Sequence, residues 1–225
     1  MQPVLTLDFV SDISCPWCAI GLSTLLTALE RLPPQLAVAL QCQPFELVPD
    51  APPGGQDLGE LLAQRYGSTP EQQAKAYAML RQRGAEVGFE FHPDPRPKVY
   101  NTLNAHRLLH WAGLEHPERQ LALKLALLQA CHRDQLPLDA DDVLLAAVDS
   151  AGLDRERAIE ILASDTFAHE VRQEESLYQQ AGVRSVPTLV VNQRFVIAGS
   201  QPPEVLEQAL RQIASEATPP ANTVH

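Results

Sequence analysis

The stretch "SDISCPWCAIG" (residues 11–21) sets two cysteines, Cys15 and Cys18, on either side of Pro16 and Trp17. Three chemistries fit such a pair: a redox couple, half of a zinc site, or two core thiols. In redox work the attacking species is a thiolate. A cysteine at a helix N-terminus faces unpaired first-turn N–H groups and the positive end of the helix dipole, and both favour the anion. Cys15 so placed would have its pKa pushed below the reference of about 8.5. Cys18 would then lie about one helical turn on, near enough to close a disulfide with little backbone movement. The more exposed thiol would attack, and the more buried one would resolve the mixed disulfide. Pro16 and Trp17 put no side-chain charge between the sulfurs, so they shape access and stiffness. A zinc site needs about four ligands, commonly in two pairs. No second CxxC follows, and the adjacent Cys131 and His132 are poorly spaced to share one ion, so no metal is expected.

The flanking residues must position the pair. "VLTLDFV" (4–10) alternates apolar and polar residues and reads as a strand. Ile20, Leu22, Leu25, Leu26, Leu29 and Leu32 then recur at helical spacing over residues 15–32. Ser14 is expected to cap this helix and Pro16 to sit in its first turn, where a missing N–H costs nothing. "LAVALQCQPF" (36–45) reads as a second strand, which completes a βαβ unit with the cysteines at its strand-to-helix turn. In that setting a CxxC reads as a redox motif. A Pro/Gly-rich loop (46–56) leads into helices expected at 57–66, 70–87, 98–113, 117–133, 139–150 and 154–181, the last broken near 164–166. Strands at 187–192 and 194–199 form a hairpin around Asn192 and Gln193, a helix spans 202–217, and 218–225 is expected to be a disordered tail.

Composition narrows the partners. The 225 residues are 45% hydrophobic and 20% charged, with a net charge of −11. Phosphate backbones call for clustered Lys and Arg, and no basic run occurs, so a nucleic-acid partner is not expected. No segment approaches the roughly 18 apolar residues of a membrane span. The N-terminus does not resemble a signal peptide, so the expected compartment is the cytoplasm, where four cysteines carry no structural need of disulfides.

Together, "DFVSDISCPWCAIG", "QPFELVP" (43–49) and "GVRSVPTLVVNQRFVIAGSQPPEVL" resemble the DsbA-like thioredoxin family, over about residues 4–215. They are most similar to its cytoplasmic FrnE-like branch, a relative of 2-hydroxychromene-2-carboxylate isomerases and kappa-class glutathione transferases. The resemblance implies an α/β thioredoxin fold with a large all-helical insertion between the βαβ and αββα halves. Residues 1–45 and 182–217 would form the thioredoxin-like unit, with a flanking helix from about 166, and 46–165 the helical insertion. It also implies Cys15 as nucleophile, Cys18 as resolving thiol and Pro187 as a cis-proline facing them, with the Val186 backbone pairing with an incoming peptide. Pro16 and Trp17 would line the substrate surface, and Asn101 and Asn104 the cleft. The expected function is thiol–disulfide exchange with protein or small-molecule thiols, by a monomer or a homodimer. No cofactor is expected beyond the Cys15–Cys18 disulfide, with glutathione a candidate co-substrate. The alternative is a glutathione-dependent transferase or isomerase, although that branch carries serine at the catalytic helix start. The chain also lacks the histidine of DsbA-type CxxC motifs, so a strongly oxidising poise is not carried over.

Other residues have readings of their own. Asp8, on the first strand, is a candidate proton relay for the resolving thiol, and Asp12 a turn former. On the helix expected over 98–113, Asn101, Asn104 and Leu108 share one stripe. His106 and His110 share another, read as a surface or interdomain pair. Cys42 and Cys131 read as small core residues.

Overall fold

The computed structural model describes residues 4–217; the tail assigned to 218–225 lies outside them. β1 (Val4–Ser11), α1 (Pro16–Glu30) and β2 (Ala37–Pro44) form the expected βαβ unit, with β1 and β2 parallel. β5 (Thr188–Val191) pairs antiparallel with β1 and with β6 (Phe195–Ala198), which gives a four-stranded sheet in the order β2-β1-β5-β6. Asn192 and Gln193 turn the hairpin at positive φ, and the Arg194 N–H closes the turn on the Val191 carbonyl at 3.1 Å. The helix α9 (Pro203–Ala217) closes the fold against α1.

The period-two pattern of β1 decides what the sheet faces. Leu5, Leu7 and Phe9 are 1–2% exposed and share one core with Ala19, Ile20, Leu22 and Leu25 of α1. Each such burial contributes about 1.5–3 kcal/mol. Val10, on the opposite face, joins Phe45 and Val183.

Between β2 and β5 run α2 (Leu58–Tyr66), α3 (Pro70–Glu86), α4 (Leu103–Glu115), α5 (Pro117–His132), α6 (Asp141–Ser150), α7 (Arg155–Leu162) and α8 (Ala168–Gln180). Their core is continuous with that of the sheet: Leu108, Leu123 and Leu127 belong to the same cluster as Leu7. α4, α5 and α8 all pack on β2. β2 is an edge strand, and Gln120 of α5 supplies what a neighbouring strand would. Its Oε1 accepts from the Cys42 N–H at 2.9 Å and its Nε2 donates to the Cys42 carbonyl at 3.2 Å.

Two local expectations are corrected, and the expected break near 164–166 is found. Ser14 does not cap α1: its hydroxyl donates to Asp12 Oδ2 at 2.6 Å, and the N-cap is Cys15, with no side-chain cap bond. The helix expected from 98 starts only at Leu103. Lys98–Val99 (β4) instead pairs with Gln56–Asp57 (β3), and Asn101 Oδ1 accepts from the Leu103 N–H at 2.9 Å. Asn101 is therefore outside the helix and off the stripe assigned to it. The break near 164–166 separates α7 from α8, and the Arg107 guanidinium donates to the carbonyls of Ile161, Ser164 and Thr166 there.

Candidate active site

The β1–α1 turn is organised by Asp12, which is fully buried. Its carboxylate accepts from the Ser14 N–H at 3.1 Å, the Ser14 hydroxyl and the Leu47 N–H at 2.8 Å, and His106 Nε2 lies 3.6 Å away. Burial pushes the carboxyl up, but His106, Ser14 and the Leu47 amide outweigh it and hold Asp12 well below the usual carboxylate range. The turn therefore carries a fixed negative charge under the cysteines.

Cys15 occupies the N-cap in extended backbone (φ −87°, ψ 113°), with Pro16 in the first turn. No side chain caps α1, so the Trp17 and Cys18 backbone N–H groups face the Cys15 sulfur, the Cys18 N–H also donating to the Cys15 carbonyl at 3.0 Å. The Cys15 thiol is pushed below its ordinary value, mainly by the hydrogen bond from Cys18 and further by the Cys18 and Trp17 backbone N–H groups; burial and the Asp12 charge oppose this. Cys18, completely buried, is pushed well up by burial first, then by the hydrogen bond to Cys15 and the Cys15 charge. The two thiols are free and not bonded to each other. The pair thus shifts its two thiols in opposite directions, Cys15 down and Cys18 up.

The Val186–Pro187 peptide bond is cis, and the Val186 carbonyl lies 3.8 Å from Cys15 Sγ. This loop packs on α1 at Gly21, where an added Cβ would come 2.8 Å from Pro187 Cγ. On the far side Arg96 donates to the Ser14 carbonyl at 2.6 Å and contacts Cys131 Sγ at 2.8 Å. His132, held neutral with its pKa pushed down to about 3 by burial and the Arg96 charge, donates from Nε2 to the Ile13 carbonyl at 2.8 Å. The residues flanking Cys15 are therefore tied down by α5 and by the segment ahead of β4.

The structure sorts the candidate residues. Cys15, Cys18, Val186 and Pro187 come together, with Trp17 36% exposed beside them and Pro16 half-buried. Asn101 donates to Glu46 at 3.4 Å and to the Pro49 carbonyl at 2.7 Å, one ring out from Asp12. Asn104 accepts from Arg107 at 2.8 Å and belongs to the scaffold. Asp8 lies on the Val10 face of β1, away from the face that packs on α1. It accepts from Gln43 at 2.8 Å and meets Tyr178; the carboxylate whose charge acts on Cys15 is that of Asp12, which reaches Cys18 only through its backbone. His106 is no surface residue: it is 2% exposed beside Asp12, whereas His110 pairs with Glu174 at 3.2 Å. Sequence reasoning missed Gly21, Arg96, Lys124 and the carboxyl pair Glu46 and Glu175. Only Gly21, three residues beyond Cys18 on a helix, carried a readable signal.

Comparison with known proteins identifies the family and the fold. The DSBA-like thioredoxin domain matches residues 6–211. A probable DsbA oxidoreductase from Streptomyces coelicolor is 30% identical with a TM-score of 0.87, over 98% of this chain and 94% of its own. At fold level, a 2-hydroxychromene-2-carboxylate isomerase is similar at 14% identity and TM-score 0.69, covering 94% and 97% of the two chains. So is the cytosolic disulfide reductase DsbM from Pseudomonas aeruginosa, solved with glutathione, at 18% identity and TM-score 0.62, covering 93% and 99%. Among curated proteins no relative was found. Among the described residues no helix is long and apolar enough to cross a membrane.

Proposed function

This chain belongs to the DsbA-like thioredoxin family, and from that premise we propose that it is a thiol–disulfide oxidoreductase working through Cys15 and Cys18. The observation that carries the reading is the placement of Cys15 at the N-cap of α1, with buried Cys18 one turn on and the Val186 carbonyl of the cis-proline loop 3.8 Å from Cys15 Sγ. The Cys15 thiolate attacks a substrate disulfide, one substrate sulfur leaves as a thiol, and a mixed disulfide forms on Cys15. Cys18 then attacks the Cys15 sulfur, the second substrate thiol leaves, and the Cys15–Cys18 disulfide remains; the reverse sequence oxidises a dithiol. The Val186 carbonyl, beside Cys15 Sγ, is placed to receive an N–H of an extended peptide. Trp17 and Pro16 offer an uncharged contact surface next to it.

Glutathione is the small-molecule thiol we assign as a candidate co-substrate, supported by its presence with the DsbM neighbour. A cytoplasmic setting belongs to the same proposal, with that cytosolic neighbour as its support. A glutathione-dependent isomerase or transferase is the second reading, favoured by the likeness in fold to the isomerase; it would leave Cys18 without a task. Insulin reduction and dithiol oxidation by Cys15→Ser and Cys18→Ser test the choice. Loss of both activities in Cys15→Ser and accumulation of mixed disulfides in Cys18→Ser are expected. Full activity in Cys15→Ser would overturn the mechanism, and glutathione turnover of an aromatic electrophile that survives Cys18→Ser would favour the second reading.

A further inference from the structure

Lys124 takes no part in the scheme above, yet its side chain is fully buried and its Nζ has no hydrogen-bond partner among the described residues. An ammonium taken out of water without a partner is costly, and proteins rarely keep one without use. Its position on α5 is fixed from both ends. Four residues before it, Gln120 is bonded to both backbone groups of Cys42 on β2. Beyond it on the same helix, Cys131 and His132 meet Arg96 and the Ile13 carbonyl at the β1–α1 turn. Lys124 is therefore held between the sheet edge and the start of α1.

The groups within reach of its charge are Cys18, Cys42 and His106. Of these, Cys18 alone develops negative charge in the proposed reaction. Around Cys18 stand Cys15 at the start of α1, the Asp12 backbone in the turn and Lys124 from α5. His106 of α4, His132 and Cys131 of α5, and Arg96 stand around Asp12 and Cys15. Cys15 and Asp12 bring negative charge to this neighbourhood, and burial alone would keep Cys18 a thiol.

We propose that Lys124 is a positioning residue for the resolving step, its ammonium stabilising the Cys18 thiolate from below. The inference rests on the reading of Cys18 as the resolving thiol. In that step the Cys18 sulfur forms a bond to Cys15 Sγ and the Cys15–substrate S–S bond breaks. The bonding pair leaves with the substrate sulfur, which departs as a thiol carrying the proton that Cys18 gave up. Cys18 is oxidised, the substrate sulfur is reduced, and no further reactant is needed. The Lys124 charge is the one favourable charge acting on Cys18, against the burial that raises it.

Two outcomes follow for Lys124→Met, which keeps a comparable apolar stem. The unfolding midpoint in urea rises, because an unpartnered buried charge is replaced by packing. The resolving step slows at the same time. The reduced protein, treated with less than one equivalent of 5,5′-dithiobis(2-nitrobenzoate), releases one thionitrobenzoate when Cys15 reacts and a second when Cys18 resolves. The pH midpoint of the second phase is expected to move up by about one unit. Its rate at pH 7 falls about tenfold, since below the midpoint each unit is a factor of ten in thiolate. The first phase stays unchanged. Lys124→Gln serves if the methionine variant does not fold, with the same shift expected. A second phase whose pH profile superimposes on the wild type in either variant overturns the role of Lys124. A wild type with no second phase overturns the assignment of Cys18 itself, and the two failures are thereby distinguished.

Discussion

Replacing Gly21 with alanine tests whether the contact between α1 and the Pro187 loop sets the site. A methyl at this position would stand 2.8 Å from Pro187 Cγ and 3.3 Å from Pro187 Cβ, where carbon atoms prefer roughly 3.5–4.0 Å. A separation of about 0.7–1.2 Å must open between helix and loop. Neither side yields easily. The Pro187 carbonyl accepts from the Gly199 N–H at 2.8 Å, Thr188 Oγ1 donates to Ser185 at 2.7 Å, and α1 is packed through Ile20, Leu22 and Leu25. Two energies compete. Alanine gains up to about 1 kcal/mol of helix propensity, while overpacking costs about 1–3 kcal/mol. The net change is a loss of up to about 2 kcal/mol, readable in urea unfolding. Activity suffers more, because the Val186 carbonyl is carried away from Cys15, and a displacement near 1 Å can cost up to about a hundredfold. Insulin reduction by Gly21→Ala should thus fall at least about tenfold while the variant stays folded. A variant that is more stable than the wild type and equally active would refute the reasoning.

Two further predictions concern pH. His132 has its folded pKa near 3 against about 6.5 when unfolded. Below pH 6.5 the unfolded chain therefore takes up a proton that the fold refuses, and stability declines by at most about 1.4 kcal/mol per pH unit from this group. His132→Gln, which can still donate to Ile13, should flatten the decline between pH 6.5 and 4 in urea titrations; an unchanged slope would count against it. Glu175 runs the other way: burial, then the Glu46 charge, pushes it up to about 7, above an unfolded value of about 4.3. Its contribution is present below pH 4.3 and is lost as pH rises through 7. Glu175→Gln should therefore gain stability relative to the wild type above pH 7, and a relative gain confined to acid pH would reverse that account.

Much of the framework was legible because it is local. The alternation of Leu5, Leu7 and Phe9 gives β1, the leucine spacing gives α1, and Asn192-Gln193 marks the hairpin. The cysteines stand out by spacing, and the strand before them places them at a helix start. What escaped depends on partners distant in sequence. Ser14 looks like a cap until Asp12, drawn under the turn by the Leu47 N–H, claims its hydroxyl. The pairing of Lys98–Val99 with Gln56–Asp57, which delays α4, involves two-residue strands too short to show a period. In the sequence Asp8 reads as the acid that serves the cysteines and Asp12 as a turn former, and only their distant partners, Gln43 for Asp8 and the Leu47 N–H for Asp12, show which of them lies under the pair. Lys124 sits in "LALKLALLQA", a leucine-rich stripe that reads as core and in which nothing about the spacing singles out the lysine. Its burial follows from α5 being covered by β2 and α1 together.

The central claim is that one fold gives its two cysteines opposite characters. Peptide-mapped alkylation of the reduced protein with iodoacetamide, followed from pH 4 to 10, tests it most directly. Cys15 should be modified first, with a midpoint below the free-thiol value of about 8.5, while Cys18, fully buried and pushed well up, stays unmodified near neutral pH. Equal labelling of the two, or a Cys15 midpoint at that of a free thiol, would contradict the account.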